Sequence, residues 1–439
     1  MKGVWAARCM GVLGLLVLGA CGEQELILEG QREELRAILG EEVAPEPLNA
    51  GPVTLPAPAV ARAWTHQAGA PDHNPGHVTL AANPRQIWST SIGAGDKRRF
   101  RIAAQPVSDG TRIYAMDSRS VVTAVSTAGD VLWQTNLTPP TERAESAAGG
   151  GLAVAGGRVY ATTGFGTLVA LDATSGAEIW SHNFQSIASG APTAAGGLVY
   201  AVTRNGIGWA LDTSNGRVRW TVPGLSSAAG ILGGPSPAVT ADGLAVFAFP
   251  SGEVAAVDAA TGAGRWRGII AGQRLEPVAS GIADVTGDPV IAGNIVLAGT
   301  HGGRSAAFDR LTGQELWLSE EGAMAAPAVA GGAAFQVTDR NALIRVDLAT
   351  GATVWSTPLP LFRTTRPRRF DALFAHFGPI LAGGRLVVAS DDGALRFFNP
   401  STGALMGEVP LPGGAASDPI VVAGTLYVVT EAGRLVAFR

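Results

Sequence analysis

The chain has 439 residues, 15% of them charged and 46% hydrophobic, with a formal charge of −4. That length calls for several domains or one repeated architecture, and the balance excludes a disordered chain and offers no basic surplus for tracking nucleic-acid phosphates. Glycine is abundant at 59 residues, and ten tryptophans stand beside 14 phenylalanines and 4 tyrosines, so the fold needs many tight turns and a rule that places Trp.

Lys2 and Arg8 flank the start of an apolar run from Met10 to Ala20, too short to cross a bilayer and of signal-peptide length. Leu18-Gly19-Ala20-Cys21 resembles a bacterial lipobox, which implies a signal over residues 1–20 and acylation of Cys21. Gly22 after the cysteine implies, by the same resemblance, export to the outer membrane. Loss of Lys2 and Arg8 takes the formal charge to −6. Cys9 and Cys21 are the chain's two cysteines, so the body carries no disulfide framework and no Cys-based metal site. Within the lipidated tether of residues 21–40, Leu26, Leu28, Leu35, Ile38 and Leu39 alternate with Glu and Arg in the pattern of a short amphipathic helix. Residues 41–85 read as a linker, Pro-rich up to Pro58, extended enough to let the rest stand off a membrane. His66, His73 and His77 fall in it. Pro75 and Gly76 prevent His73 and His77 from pairing on a helix face, so solvated side chains are expected rather than a metal site.

From residue 86 onward the sequence repeats. Ala170, Asp172, Gly176 and Trp180 recur as Ala210, Asp212, Gly216 and Trp220, then with Asp258 and Trp266, Asp309 and Trp317, and Asp347 and Trp355. Asn399, Gly403 and Gly407 form a degraded copy, and Ser126, Gly129 and Trp133 a shortened one. Two short apolar runs joined by glycines precede each motif. Each unit therefore reads as a four-stranded antiparallel sheet in which the Asp accepts turn amides, the Gly supplies a positive φ, and the Trp packs on the neighbouring sheet. Sheets repeating about every 44 residues predict an all-β, eight-bladed propeller over 86–439. Trp88 has no motif ahead of it and the last unit lacks a fourth strand, so the Trp88 strand is expected to close that blade. Glycine strings such as Gly149-Gly150-Gly151 read as turns, since no Lys or helix follows as a phosphate loop requires.

The Ala-x-Asp-x-x-Thr-Gly-x-x-x-Trp motif resembles the PQQ-type propeller repeat, shared by quinoprotein dehydrogenases and the BamB family of outer-membrane assembly factors. The lipobox, the eight units and the Trp88 strand resemble the second. That resemblance implies a non-catalytic lipoprotein scaffold without cofactor, on the periplasmic face of the outer membrane, which assists insertion of outer-membrane proteins. Its implied partners are the POTRA domains of the barrel-assembly protein BamA and unfolded outer-membrane proteins. It carries partner binding onto two stretches: Gly230 to Pro237, with Ile231 and with Leu232 where the family has Arg, and Asp284 to Pro289, with Asp284, Thr286 and Asp288. The alternative is a periplasmic oxidoreductase or small-ligand-binding propeller, but dehydrogenases of this type use adjacent cysteines that the body lacks, and one motif aspartate per blade cannot converge on one ion. A lipoprotein of another envelope complex is a third reading. Two basic runs, Lys97 to Arg101 and Arg363 to Arg369, fall between blades, where a solvated loop or contact with an acidic partner or lipid headgroups is expected.

Overall fold

The computed structural model describes residues 51–98, 100–146, 149–188, 190–225, 235–272, 285–364 and 372–439. Among them, 32 strands form eight four-stranded antiparallel sheets. In chain order, blades 1 to 7 span 107–136, 150–183, 193–223, 238–269, 285–319, 328–358 and 376–410. Blade 8 combines 420–438 with Gln86–Ser91, so the expected closing strand is present. Trp88 pairs with Ala437, the register in which Trp180 pairs with Ala170, so the strand from the chain's other end is a full substitute for a local one.

Local sequence explains each layer. The second strand of blade 2, Arg158–Thr163, is apolar without alternation and almost wholly buried because sheets cover both its faces. The outer strand Glu178–Asn183 alternates instead, with Trp180 buried and Ile179 and Ser181 exposed. Between them, Asp172 Oδ1 accepts the amides of Thr174 at 3.0 Å and Ser175 at 2.8 Å, and Gly176 turns the chain with φ +73°. Gly150 and Gly151 begin an inner strand rather than a turn: a Cβ at Gly151 would lie 2.4 Å from Ala191 Cα, so glycine permits close approach of blade 3.

Seven of the eight seams use one device. The indole on a blade's outer strand lies against the turn glycine of the next blade and donates Nε1–H to a backbone carbonyl there, from Trp88, Trp133, Trp180, Trp220, Trp266, Trp317 and Trp355 in turn. Trp180 reaches Thr213 O at 3.0 Å and Trp266 reaches Arg310 O at 2.8 Å. Burying most of an indole contributes roughly 2–3 kcal/mol per seam.

The chain from 51 to 85 lies against the ring. Val53 and Leu55 pack on blades 6 and 7, while Trp64, Val78 and Leu80 enter the core shared by blades 7, 8 and 1. The backbone then meets one inner strand after another: Ala423 N donates to Ala61 O, Val154 N to Thr65 O, Val239 N to Pro71 O, Ile291 N to Asp72 O, and Val78 N to Leu381 O. The segment turns at residues 66–73 and comes back so that Ala59 bridges Val78, and its apolar side chains dock it on the ring instead of leaving it in solvent as a spacer.

Candidate functional site

Proline immediately precedes five of the eight inner strands, at Pro106, Pro192, Pro237, Pro327 and Pro419, and sits at a register shift within two others, at Pro289 and Pro379. An innermost strand has an unpaired edge, where a missing N–H costs no ladder bond. Several residues just before these prolines are polar and converge on the axis: Gln105, Ser236, Asp288 and Asp418. Asp288 Oδ1 accepts the Ser236 amide at 2.6 Å, and Asp418 Oδ1 accepts the Gly378 amide at 2.6 Å. Gln67 of the inserted segment reaches Asp418 Oδ2 at 3.4 Å. Burial pushes the Asp288 carboxyl up to about 7, and the nearby Asp418 charge adds to this against the Ser236 hydrogen bond. Asp418 is raised as well, again by burial.

The three histidines correct the expectation of solvated side chains. His66, His73 and His77 are all buried. His66 Nε2 accepts the Ala194 amide at 3.1 Å, His73 Nδ1–H donates to Pro289 O at 2.8 Å, and His77 bridges Pro56 O at 2.7 Å and Gly384 N at 2.8 Å. Desolvation lowers His66 to about 3 and His73 to about 4, so both are neutral at physiological pH. A cavity of about 30 Å³ lies beside His73, Trp64, Gln105 and Asp418. Among the described residues no group of three or more His, Cys, Asp or Glu is placed to hold a metal ion.

Of the residues expected to meet a partner, Ile231, Leu232 and Asp284 lie outside the described residues, as does Cys21. Thr286 is half-buried, its hydroxyl donating to Ala323 O at 2.8 Å. Asp288 is buried, and its bond to Ser236 ties the two predicted stretches to each other. The motif aspartates stay one per blade at their turns, where hydrogen bonds led by the Ser175 amide hold Asp172 below the usual carboxylate range. The two basic runs meet at one acid: Arg101 lies 3.5 Å from both Asp96 and Glu431, and Arg363 pairs with Asp391 and lies 3.5 Å from Glu431. The repeated x-Pro dipeptide was the sequence signal for the axial cluster, but it is hidden by the louder Asp-to-Trp motif.

Comparison with known proteins agrees with this architecture. A family profile described as outer membrane protein assembly factor BamB matches residues 118–357 and 365–439. Proteins of that name from Salmonella typhimurium and Escherichia coli are 31% and 30% identical, over 81% and 80% of this chain and 88% of each relative. The crystal structure of BamB from Moraxella catarrhalis superposes with a TM-score of 0.65 at 20% identity, covering 81% of this chain and all 100% of that one. A europium-containing methanol dehydrogenase superposes with 0.66 at 15% identity over 86% of this chain and 98% of its own, a likeness of fold alone. Eight blades with Trp locks at seven of their seams, a closing strand from the far end and a profile match over most of the ring lead to one conclusion: the chain belongs to the outer membrane protein assembly factor BamB family.

Proposed function

We propose that this protein is a non-catalytic scaffold of the outer-membrane barrel-assembly machinery, held by lipid on Cys21 at the periplasmic face and bound to the POTRA domains of the barrel-assembly protein. Family membership supports the assembly role. The observation that carries the choice of surface is the 2.6 Å bond from Ser236 N to Asp288 Oδ1. It fastens the stretch 230–237 to the stretch 284–289 at the mouth where the chain passes from outer to inner strands. Ile231, Leu232, Asp284 and Thr286 then form the contact, and Asp288 holds its two halves in register. Loops carry recognition while strands carry packing, so such a patch can change without unfolding the ring.

Titration of purified POTRA domains with Leu232→Asp and Asp284→Arg tests this. Both variants weaken binding, the apolar site more, with melting temperatures within about 1 °C of the parent, as expected of surface changes. Unchanged affinity in both would move the interface elsewhere on the ring, with the Arg363 loop the next surface to test.

A further inference from the structure

The seam between blades 7 and 8 lacks the device that closes the other seven. Gly407 occupies the tryptophan position and pairs with Phe397, where Trp180 pairs with Ala170. The partner turn is missing too: the outer strand of blade 8 arrives from the N-terminal side, and Arg85 and Arg439 exchange backbone hydrogen bonds where an Asp-x-x-Thr-Gly turn would stand. Both halves of the interlock are therefore absent at one place. A groove of about 470 Å³ results, within the range of small-molecule sites.

Its lining is chemically specific. Phe397 and Phe438 are buried, Pro84, Val409 and Pro410 add apolar surface, and Met406 stands at the rim, 57% exposed. The Arg385 guanidinium covers Phe397 at 4.6 Å and donates to the Ala81 and Ala82 carbonyls, so its charge is already engaged. Glu408 lines the groove as an acceptor, with Oε1 on Arg396 Nε at 3.0 Å. We propose that this groove binds a tryptophan side chain presented by a partner polypeptide. The argument for that occupant is internal: the same position between blades holds an indole at each of the other seven seams, in each case with its N–H bound to an oxygen. The apolar bed of Phe397, Phe438, Pro84, Val409 and Pro410 suits an aromatic ring, and the Glu408 carboxylate at the same groove is an acceptor for its N–H.

The test uses the full chain and N-acetyl-tryptophanamide, with binding read by saturation-transfer NMR and by calorimetry. A fragment of this size should bind with a dissociation constant on the order of millimolar. Gly407→Trp should weaken the probe at least about tenfold by filling the groove from within. A Cβ at Gly407 meets nothing within 4 Å, so the new side chain starts in open space, and the variant's melting temperature should equal or exceed the parent's. Met406→Asp, at the exposed rim, should weaken the probe without changing stability. The proposal is overturned if N-acetyl-alaninamide binds as well as the tryptophan probe, if the probe does not bind, or if Gly407→Trp binds it unchanged.

Discussion

Replacing single seam and turn glycines with alanine separates backbone conformation from interlock. At Gly313, φ is +72° and an added Cβ would lie 2.7 Å from Trp266 Cβ and 2.6 Å from its Cγ. The left-handed conformation costs an L-residue about 1–2 kcal/mol, and forced overpacking adds about 1–3 kcal/mol. Turning the indole cannot relieve the clash, because Trp266 Cβ is fixed to its backbone and Nε1 is held by Arg310 O at 2.8 Å. Gly313→Ala should therefore lose roughly 2–5 kcal/mol. Gly156 has φ +56° but open space around its Cβ, so Gly156→Ala carries only the conformational part, about 1–2 kcal/mol. Gly264 has neither a positive φ nor a close neighbour, and Gly264→Ala should be neutral or stabilising by up to about 1 kcal/mol. Equilibrium urea unfolding reads these differences better than heat, because for a chain this long 1 kcal/mol moves the melting temperature by only about 1 °C. A Gly313→Ala variant no less stable than Gly156→Ala would refute the idea that the indole seams hold the ring.

Three further outcomes follow from the same structure. Deleting 22–50 should leave unfolding cooperative, whereas deleting 22–85 keeps the closing strand but removes buried Trp64, Val78 and Leu80 and should cost about 5–8 kcal/mol; equal urea midpoints would show that the segment is dispensable. Lowering the pH from 7 to 5 sets histidine terms against carboxyl terms: unfolded His66 and His73 take up protons near 6.5 that the fold refuses, which destabilises, while Asp288, raised to about 7 beside the likewise raised Asp418, gains its proton in the fold, which stabilises. Asp288→Asn deletes its share of the compensation, so its stability should fall on the order of 2 kcal/mol further than the parent's over that range, and parallel pH profiles would contradict the assignment. Cys21→Ser should move the protein from the membrane fraction to the soluble periplasm, and an unacylated N-terminus in the parent, seen by mass spectrometry, would sink the lipid anchor.

The ring was legible because its rule is local. Asp172, Gly176 and Trp180 sit within one hairpin, their spacing is set by a turn and an alternating strand, and repetition multiplies the signal. Closure was legible for a similar reason, since a strand with Trp88 and no turn before it can only complete a blade that lacks one. The inserted segment was hidden because its contacts are all distant: His66 meets Ala194, and His73 meets Pro289. Nothing near a histidine in a stretch rich in proline and glycine announces that eight inner strands will enclose it. Asp288 shows a finer limit. Its place in Asp284 to Pro289 marked it as a partner contact, yet the x-Pro bulge between Gly287 and Val290 turns its carboxylate inward, an effect of register rather than residue type.

The inserted segment also makes the two mouths of the ring unlike. Its backbone partners Val154, Ala194, Val239, Ile291 and Ala423 all lie at or just beyond the downstream ends of inner strands, beside the first hairpin turn of each blade. That mouth is thereby covered by the chain's own residues, and its inner-strand amides are satisfied. Gln67 and Ala68 then descend along the axis to Asp418 and Gln105, filling the channel from the same side. A ligand entering along the axis from that mouth would have to displace Trp64 and His73 from positions that are 1% and 0% exposed. The opposite mouth carries the connections between blades, including Ser236, Thr286 and the Arg101, Arg363 and Glu431 cluster. Burial of the segment on one side and described connections such as Ser236 and Thr286 on the other make the ring two-sided.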